Sequence, residues 1–249
     1  MRHVQLLLIL VIFISCGQGW KPGDNPEPSL ILREAQADFK AQRYADALAK
    51  HIWFHDHALD SSPSLAGVRL SFALRYWKDL GDVYPPALES MIAIRDNKMD
   101  LLAGGQGNWQ LFHDVASLNR TLDENTRTVD LFRTLDQEQQ ELASQCWDIA
   151  KKVMIRTKAY DLIRKYVGNL LSELDDILEI YNMNVEMYGG EGFGEEFKTF
   201  NENHFVEETL TLIDLALALD EFQSANEIQA KALAILNDPR LAAVKPLEK

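Results

Sequence analysis

The chain has 249 residues, of which 47% are apolar and 25% are charged. This balance excludes an intrinsically disordered chain, because disordered chains are poor in apolar residues and rich in net charge. The formal net charge is −13 at pH 7, and it becomes −14 if residues 1–19, with Arg2 as their only charged residue, are removed. Nucleic acid is therefore not an expected partner, since phosphate binding requires a basic surface.

Residues 1–19 have the features of a secretory signal peptide. Arg2 precedes an apolar run from Val4 to Ile14, and small residues follow at positions 15, 16, 17 and 19. The apolar run is about half as long as the roughly 20 residues that a membrane-spanning helix needs. We therefore expect an exported chain and not a multi-spanning membrane protein.

Two processing routes remain open for this N-terminus. A signal peptidase could cleave after Gly17 or Gly19, or a lipid could be attached at Cys16, which follows a lipobox-like sequence. Both routes predict a location in the periplasm, in the cell envelope or outside the cell, with membrane contact only through a lipid anchor at Cys16. Both also leave Cys146 as the only available thiol, and we interpret it as a small buried residue in a fold without disulfides.

The remainder of the chain predicts helices throughout. Residues 20–28 contain three prolines and predict a short extended linker. From residue 29 onward, amphipathic segments alternate with tight turns, and no segment has the alternating pattern of a strand. The expected fold is therefore all-α. The predicted helices cover residues 29–41, 44–58, 65–80, 84–102, 109–122, 125–135, 139–157, 160–167, 170–188, 205–219 and 222–236.

Several of these helices open on one motif, an aromatic residue with a small residue three positions later. The clear copies are Tyr44-x-x-Ala47-Leu48, Tyr84-x-x-Ala87-Leu88 and Phe222-x-x-Ala225, and the weaker ones are Asn125-x-x-Thr128 and Tyr160-x-x-Ile163. The last clear copy is followed by Ala232-Leu233 and Pro239. The pattern resembles the tetratricopeptide repeat, although the anchor residues are 40, 41, 35 and 62 positions apart and the family period is about 34.

The resemblance implies an α-solenoid of antiparallel helix pairs over residues 29–249. In such arrays each pair buries its apolar face against the next pair. The family generally uses the concave groove of the array to bind a protein or peptide, so the resemblance implies a partner of this kind. Residues predicted to contact it are His51, Trp53, His55, Trp77 and His113.

Three histidines lie close together in the predicted helix that begins at Tyr44. His51 and His55 are one turn apart and could share a metal ion, with His113 as a third ligand from elsewhere. His57 is rotated about 200° from His55 and cannot join them. The metalloprotease motif is absent, because Ile52 stands where the general-base glutamate is needed. Packing or groove-lining histidines are therefore favoured, and metal binding stays open as the alternative.

An acidic segment covers residues 173–208. It contains 11 acidic residues and one basic residue, Lys198. It lacks the closely spaced Asp and Asn ligands of a calcium loop. Two interpretations remain: a solvated face, and a surface for a basic partner whose binding would weaken with salt.

No catalytic motif accompanies these features. The glycine-rich stretches 104–107 and 189–194 lack the strand and the Lys-Ser/Thr ending of a nucleotide loop, and no nucleophile elbow or paired-cysteine motif occurs. The leading hypothesis is a non-enzymatic, exported binding scaffold without a cofactor. The alternatives are a metal-binding protein or metal-dependent enzyme using His51 and His55, and a structural spacer, which would have a groove without exposed aromatic side chains.

Overall fold

The computed structural model describes residues 19–188 and 194–245, and these residues form helices and no strands. The prediction of an all-α fold is confirmed for them. The predicted signal peptide up to residue 18, including Cys16, and most of the glycine-rich stretch 189–194 lie outside the described residues. In the described part of the chain, no helix combines the length and the apolar character that crossing a membrane requires.

The described chain divides into two compact units. Unit 1 comprises residues 19–104 and 110–124. Its helices are α1 (Pro28–Lys40), α2 (Tyr44–Ser61), α3 (Ala66–Arg69), α4 (Phe72–Val83), α5 (Pro85–Ala103) and most of α6 (Trp109–Thr121), with a 3₁₀ turn at Pro63–Leu65. Helix α1 packs against α2, and α4 packs against α5. One core cluster of unit 1 is formed by Ala47, Leu74, Trp77, Leu80, Ala87, Met91 and Leu118, and a second by Leu32, Phe54, Ala58 and Ala73.

Unit 2 comprises residues 105–109 and 125–245, apart from the undescribed 189–193. Its helices are α7 (Asn125–Glu138), α8 (Gln140–Thr157), α9 (Tyr160–Tyr166), α10 (Leu170–Tyr188), α11 (Glu195–Ala218), α12 (Phe222–Ile235) and α13 (Pro239–Ala243). Successive helices pack in pairs, with α7 on α8, α10 on α11 and α11 on α12. Helix α8 holds Cys146 fully buried, and burial raises the pKa of this thiol to about 12.

Four helices end in the same turn. A residue with left-handed backbone closes each of them, and the next residue donates its backbone N–H to the carbonyl five positions earlier, as in a Schellman motif. The left-handed residues are Gln42, Asp123, Lys158 and Asp220. The closing N–H···O distances are 2.9 Å from Arg43 to Asp38, 2.8 Å from Glu124 to Asn119, 3.0 Å from Ala159 to Met154 and 2.8 Å from Glu221 to Ala216. Each left-handed residue lies two positions before an anchor residue of the motif, so the chain repeats one helix–turn–helix unit.

The motif also sets which residues are buried. The third residue after each anchor is at most 1% exposed, and these residues are Ala47, Ala87, Thr128, Ile163 and Ala225. In unit 1 the anchors Tyr44 and Tyr84 contact each other, with ring centroids 5.8 Å apart. A small side chain therefore leaves room for close helix packing, and the aromatic anchor fills the adjacent space. The assembly of these helix pairs into an α-solenoid stays a prediction.

The turn before Tyr84 differs from the four others. Helix α4 was expected to end at Leu80 but continues to Val83, and Tyr84 alone forms the connection, with φ −134° and ψ 89°. A residue that precedes proline is driven out of the helical region, and Pro85 follows here. Gly81 allows the two helices to approach closely, since a Cβ at this position would lie 3.0 Å from Leu88 Cβ.

The predicted helix over 65–80 is wrong, because the chain breaks it into α3 and α4 at Leu70 and Ser71. Gly67 is a weak helix former, and the Ser71 hydroxyl donates to the Gly67 carbonyl at 2.6 Å. The Arg120 guanidinium donates to the Leu70 carbonyl at 3.0 Å, which satisfies an acceptor that the break leaves without its helical partner.

Helix α11 begins ten residues earlier than expected, at Glu195 and not at Phe205. Glu195 and Glu196 lie in its first turn, where negative side chains interact favourably with the helix dipole. A further short helix, α13, was not predicted. It begins at Pro239, and the Asp238 carboxylate caps it by accepting from the Arg240 N–H at 2.8 Å.

The predicted linker is not helical over residues 20–27, and its Trp20 packs on α2. Trp20 contacts Trp53 edge-to-face at 6.3 Å between ring centroids, and the Lys50 ammonium lies 5.5 Å from the Trp20 ring centroid. The Glu27 carboxylate ends the segment by capping α1, where it accepts from the Ser29 N–H at 3.0 Å.

Candidate functional site

The five residues predicted to contact a partner differ sharply in exposure. His51 and His55 are each 2% exposed and Trp77 is 1% exposed, whereas Trp53 and His113 are partly exposed. The two histidines pack on Trp77, with ring centroids 6.3 Å and 5.9 Å away, and the Trp77 indole N–H donates to the Ala87 carbonyl at 2.9 Å. His51, His55 and Trp77 are therefore core residues. A partner at the surface cannot reach them.

A buried ion cluster lies beside His55. Both Asp114 oxygens accept from Arg69, at 2.6 Å each, and Lys98 also donates to this carboxylate. The Arg69 Nε–H donates to the His55 carbonyl at 2.5 Å, and the Lys98 ammonium lies 3.2 Å from His55 Nε2. These contacts connect α2, α3, α5 and α6 within unit 1. With two cations and one carboxylate, the cluster has one excess positive charge when the histidines are neutral.

This environment holds both histidines neutral. Burial lowers the pKa of His51 to about 4. Burial, with the added repulsion of Lys98 and Arg69, lowers the pKa of His55 to about 3 despite the opposing charge of Asp114. Because Lys98 donates to Nε2, the neutral His55 ring carries its proton on Nδ1, which has no hydrogen-bond partner among the described residues. Burial would raise the pKa of Asp114, but hydrogen bonds and charges from Arg69 and Lys98 lower it to about 2.

The same environment bears on the metal alternative. The described residues contain no group of three or more His, Cys, Asp or Glu side chains that could hold a metal ion, so His51, His55 and His113 do not gather into such a group. The Lys98 ammonium contacts the Nε2 atom of His55. Arg69 is a second cation beside His55, and its charge would repel a metal ion there. The geometry gives the metal alternative no support.

An open groove of about 280 Å³ lies in unit 2 between α8 on one side and α10 and α11 on the other. We call it the unit 2 groove. Its apolar lining includes Ile155, Val167, Ile177, Ile180, Leu212 and Leu215. Its polar rim includes Lys151, Lys152, Glu173, Asp176, His204 and Glu208. An apolar floor with a charged rim is the usual composition of a binding surface.

Two ion pairs connect the helices that line the unit 2 groove. Lys151 of α8 pairs with Glu173 of α10, and the Lys152 ammonium lies 3.3 Å from a Glu208 oxygen on α11. These pairs hold α8 next to both other helices. They also neutralise the two cations of the rim.

Exposed apolar side chains continue the unit 2 groove beyond this cavity. On α10, Ile180, Met183 and Met187 occupy positions i, i+3 and i+7 and therefore share one face. On α11, Phe200 lies one turn before the rim residue His204 and contacts its ring at 6.1 Å between centroids. Met187 is 59% exposed and Phe200 is 61% exposed. The described residues thus leave a stripe of large apolar side chains in contact with solvent.

The acidic segment 173–208 contains most of the residues of this apolar stripe and of the groove beside it. It covers α10 beyond its first turn and the first half of α11. Sequence reasoning found this charge but missed the apolar stripe. The spacing of Ile180, Met183 and Met187 was visible in the sequence. It indicates a shared helix face, however, and such faces are usually buried.

The tetratricopeptide resemblance stays a prediction that rests on the sequence motif and the trailing Ala232-Leu233 and Pro239. In comparisons with known proteins, no family model, no curated protein and no solved structure matches the chain.

Proposed function

We propose that this chain is an exported, non-enzymatic scaffold of the tetratricopeptide type, and that it binds another protein through the unit 2 groove. The signal-like pattern of residues 1–19 supports export to the periplasm, the cell envelope or the outside of the cell. Cleavage of that segment and lipid attachment at Cys16 both remain compatible with the proposal. The repeated helix–turn–helix unit supports the scaffold class.

The observation that carries the proposal is the apolar stripe that continues the groove. Exposed apolar area is costly in water, and a contiguous stretch of it beside a concave surface is typical of an interaction site. Ile180 links the two parts, because it lines the cavity and begins the exposed stripe on α10. A partner that covered the stripe would bury this area and gain the corresponding free energy.

The spacer alternative predicts a groove without exposed aromatic side chains. Phe200 is an exposed aromatic residue on the same helix face as the rim residues His204 and Glu208. Its position therefore favours a binding scaffold over a spacer.

Site-directed photo-crosslinking in the native cells tests the proposal. The photoreactive residue p-benzoylphenylalanine replaces Phe200 in one variant and Phe72 in a matched control, since Phe72 is an exposed phenylalanine of α4 in unit 1. We expect a discrete adduct with another protein from position 200 and none from position 72. Adducts of equal yield at both positions, or none at position 200, would contradict the proposal.

A further inference from the structure

The length of the apolar surface on α10 sets the size of a ligand. The unit 2 groove and its continuation extend along α10 from Glu173 to Met187, a separation of 14 residues. At 1.5 Å per residue this is about 21 Å. Helix α11 borders the same surface from Phe200 to Leu215, a similar length. A helix of about 14 residues, or four turns, matches this length.

The side chains of the stripe are suited to a helix. An amphipathic helix presents apolar residues at i, i+3, i+4 and i+7, which form a ridge that a groove between helices accepts. Two of the four exposed apolar residues in the stripe are methionines, Met183 and Met187. The unbranched and polarisable methionine side chain adapts to irregular apolar partners. The stripe therefore fits the apolar face of an incoming helix.

The charge around the stripe indicates the sign of the charge that the polar face of that helix carries. Residues 170–208 contain one basic residue, Lys198, against 11 acidic residues. The two rim lysines, Lys151 and Lys152, come from α8 and already pair with the carboxylates of Glu173 and Glu208. The carboxylates of α10 and α11 therefore outnumber the basic side chains of this segment, and a cationic ligand would be attracted to it.

We propose that the unit 2 groove binds a basic amphipathic helix of a partner protein, about four turns long. The proposal rests on the function proposed above and names the class of partner. The apolar face of the ligand covers Ile180, Met183, Met187 and Phe200. Its lysine and arginine side chains lie among the carboxylates of α10 and α11.

Three synthetic peptides of about 18 residues test the chemistry of the ligand against the full chain. The first is an amphipathic Lys/Leu helix, the second has the same composition with the leucines spread around the helix, and the third is the Glu/Leu counterpart. Fluorescence anisotropy with labelled peptides gives the affinities. We expect the first peptide to bind at least about tenfold more tightly than the other two, and its affinity to fall as the salt concentration rises. Equal affinity for the Glu/Leu peptide would overturn the proposal.

A matched pair of variants locates the binding surface. Met183 and Val185 lie on α10, are each 48% exposed and point about 160° apart around the helix, given 100° per residue. Met183→Ser should weaken binding of the Lys/Leu helix by about fivefold to tenfold, and Val185→Ser should change it by less than about twofold. An equal loss in both variants would show that the peptide binds elsewhere or without specificity, and would refute the proposal.

The failure of this proposal can be told apart from failure of the proposed function. If position 200 crosslinks to another protein but the Lys/Leu helix does not bind, the groove has a partner of different chemistry. If the Lys/Leu helix binds and position 200 gives no adduct with another protein, the scaffold function is wrong although the ligand class is right. An adduct of twice the mass of the chain would identify a second copy as the occupant and overturn both.

Discussion

Acidification should destabilise the chain through His51 and His55. Both are buried and neutral, and their pKa values of about 4 and about 3 lie below the ordinary value of 6.5. The unfolded chain therefore binds up to two more protons than the folded chain when the pH lies between about 4 and 6.5. Stability from these groups is fully present above pH 6.5 and falls as the pH falls toward the folded pKa values. No compensating change comes from Asp114 in this window, because its pKa of about 2 keeps it ionised.

The size of the effect follows from the two pKa shifts. Within this pH window, each histidine lowers the free energy of unfolding by up to about 1.4 kcal/mol for each pH unit of acidification. Integrated from pH 7 to about pH 5, each histidine accounts for a loss of about 2 kcal/mol, and the pair for about 4 kcal/mol. This is a large fraction of the stability of an ordinary domain.

Urea unfolding at a series of pH values measures this dependence. The variants His51→Gln and His55→Gln remove one titrating group each, and His57→Gln serves as the control because His57 is exposed on the same helix. We expect each of the first two variants to lose about 2 kcal/mol less stability than the parent chain between pH 7 and pH 5, and His57→Gln to follow the parent chain. All other groups titrate equally in the variants and cancel in the comparison. If His55→Gln lost as much stability as the parent chain, the burial of a neutral imidazole would not be the cause.

Four further substitutions test the packing, each by the free energy of urea unfolding. Asp114→Ala should cost about 3–5 kcal/mol, because it leaves the buried Arg69 and the partly buried Lys98 without their carboxylate. A loss below about 1 kcal/mol would contradict a buried ion cluster. Gly81→Ala should lower the free energy of unfolding by about 1–3 kcal/mol, because its Cβ would meet Leu88. Gly67→Ala should raise it by about 0.5–1 kcal/mol, because no atom lies within 4 Å of the added Cβ. The opposite order would refute the close approach of α4 and α5. Lys158→Gly should raise the free energy of unfolding by about 0.5–1 kcal/mol, because glycine adopts the left-handed backbone of this position without strain. A lower free energy of unfolding would mean that the lysine side chain contributes more than the strain costs.

The helix boundaries were largely predictable because local signals set them. The anchor residues Tyr44, Asn125, Tyr160 and Phe222 each begin a helix at the residue predicted from the motif. Short-range chemistry decides such boundaries, since turns and caps involve residues a few positions apart. The break in the helix over 65–80 was missed because it is stabilised in part by Arg120, which lies 50 positions from Leu70.

The burial of the histidines was not predictable for a related reason. Helical spacing shows that His51 and His55 share a face, but it does not show that this face meets Trp77 in the core. The contacts that fix their chemistry come from distant parts of the chain: Lys98 lies 43 positions from His55, and Arg69 lies 45 positions from Asp114. The exposure of the α10 stripe was not predicted, because an apolar helix face in a sequence is normally covered in the fold.

Cys146 offers an independent way to follow unit 2. The nucleophilic form of cysteine is the thiolate, and burial with a pKa of about 12 keeps this thiol protonated and out of reach of reagents in the folded chain. Unit 1, over residues 19–104 and 110–124, contains no cysteine. In a chain whose Cys16 has been removed or lipidated, the rate at which a thiol reagent modifies Cys146 therefore reports how often unit 2 opens around α8, and unit 1 contributes no signal.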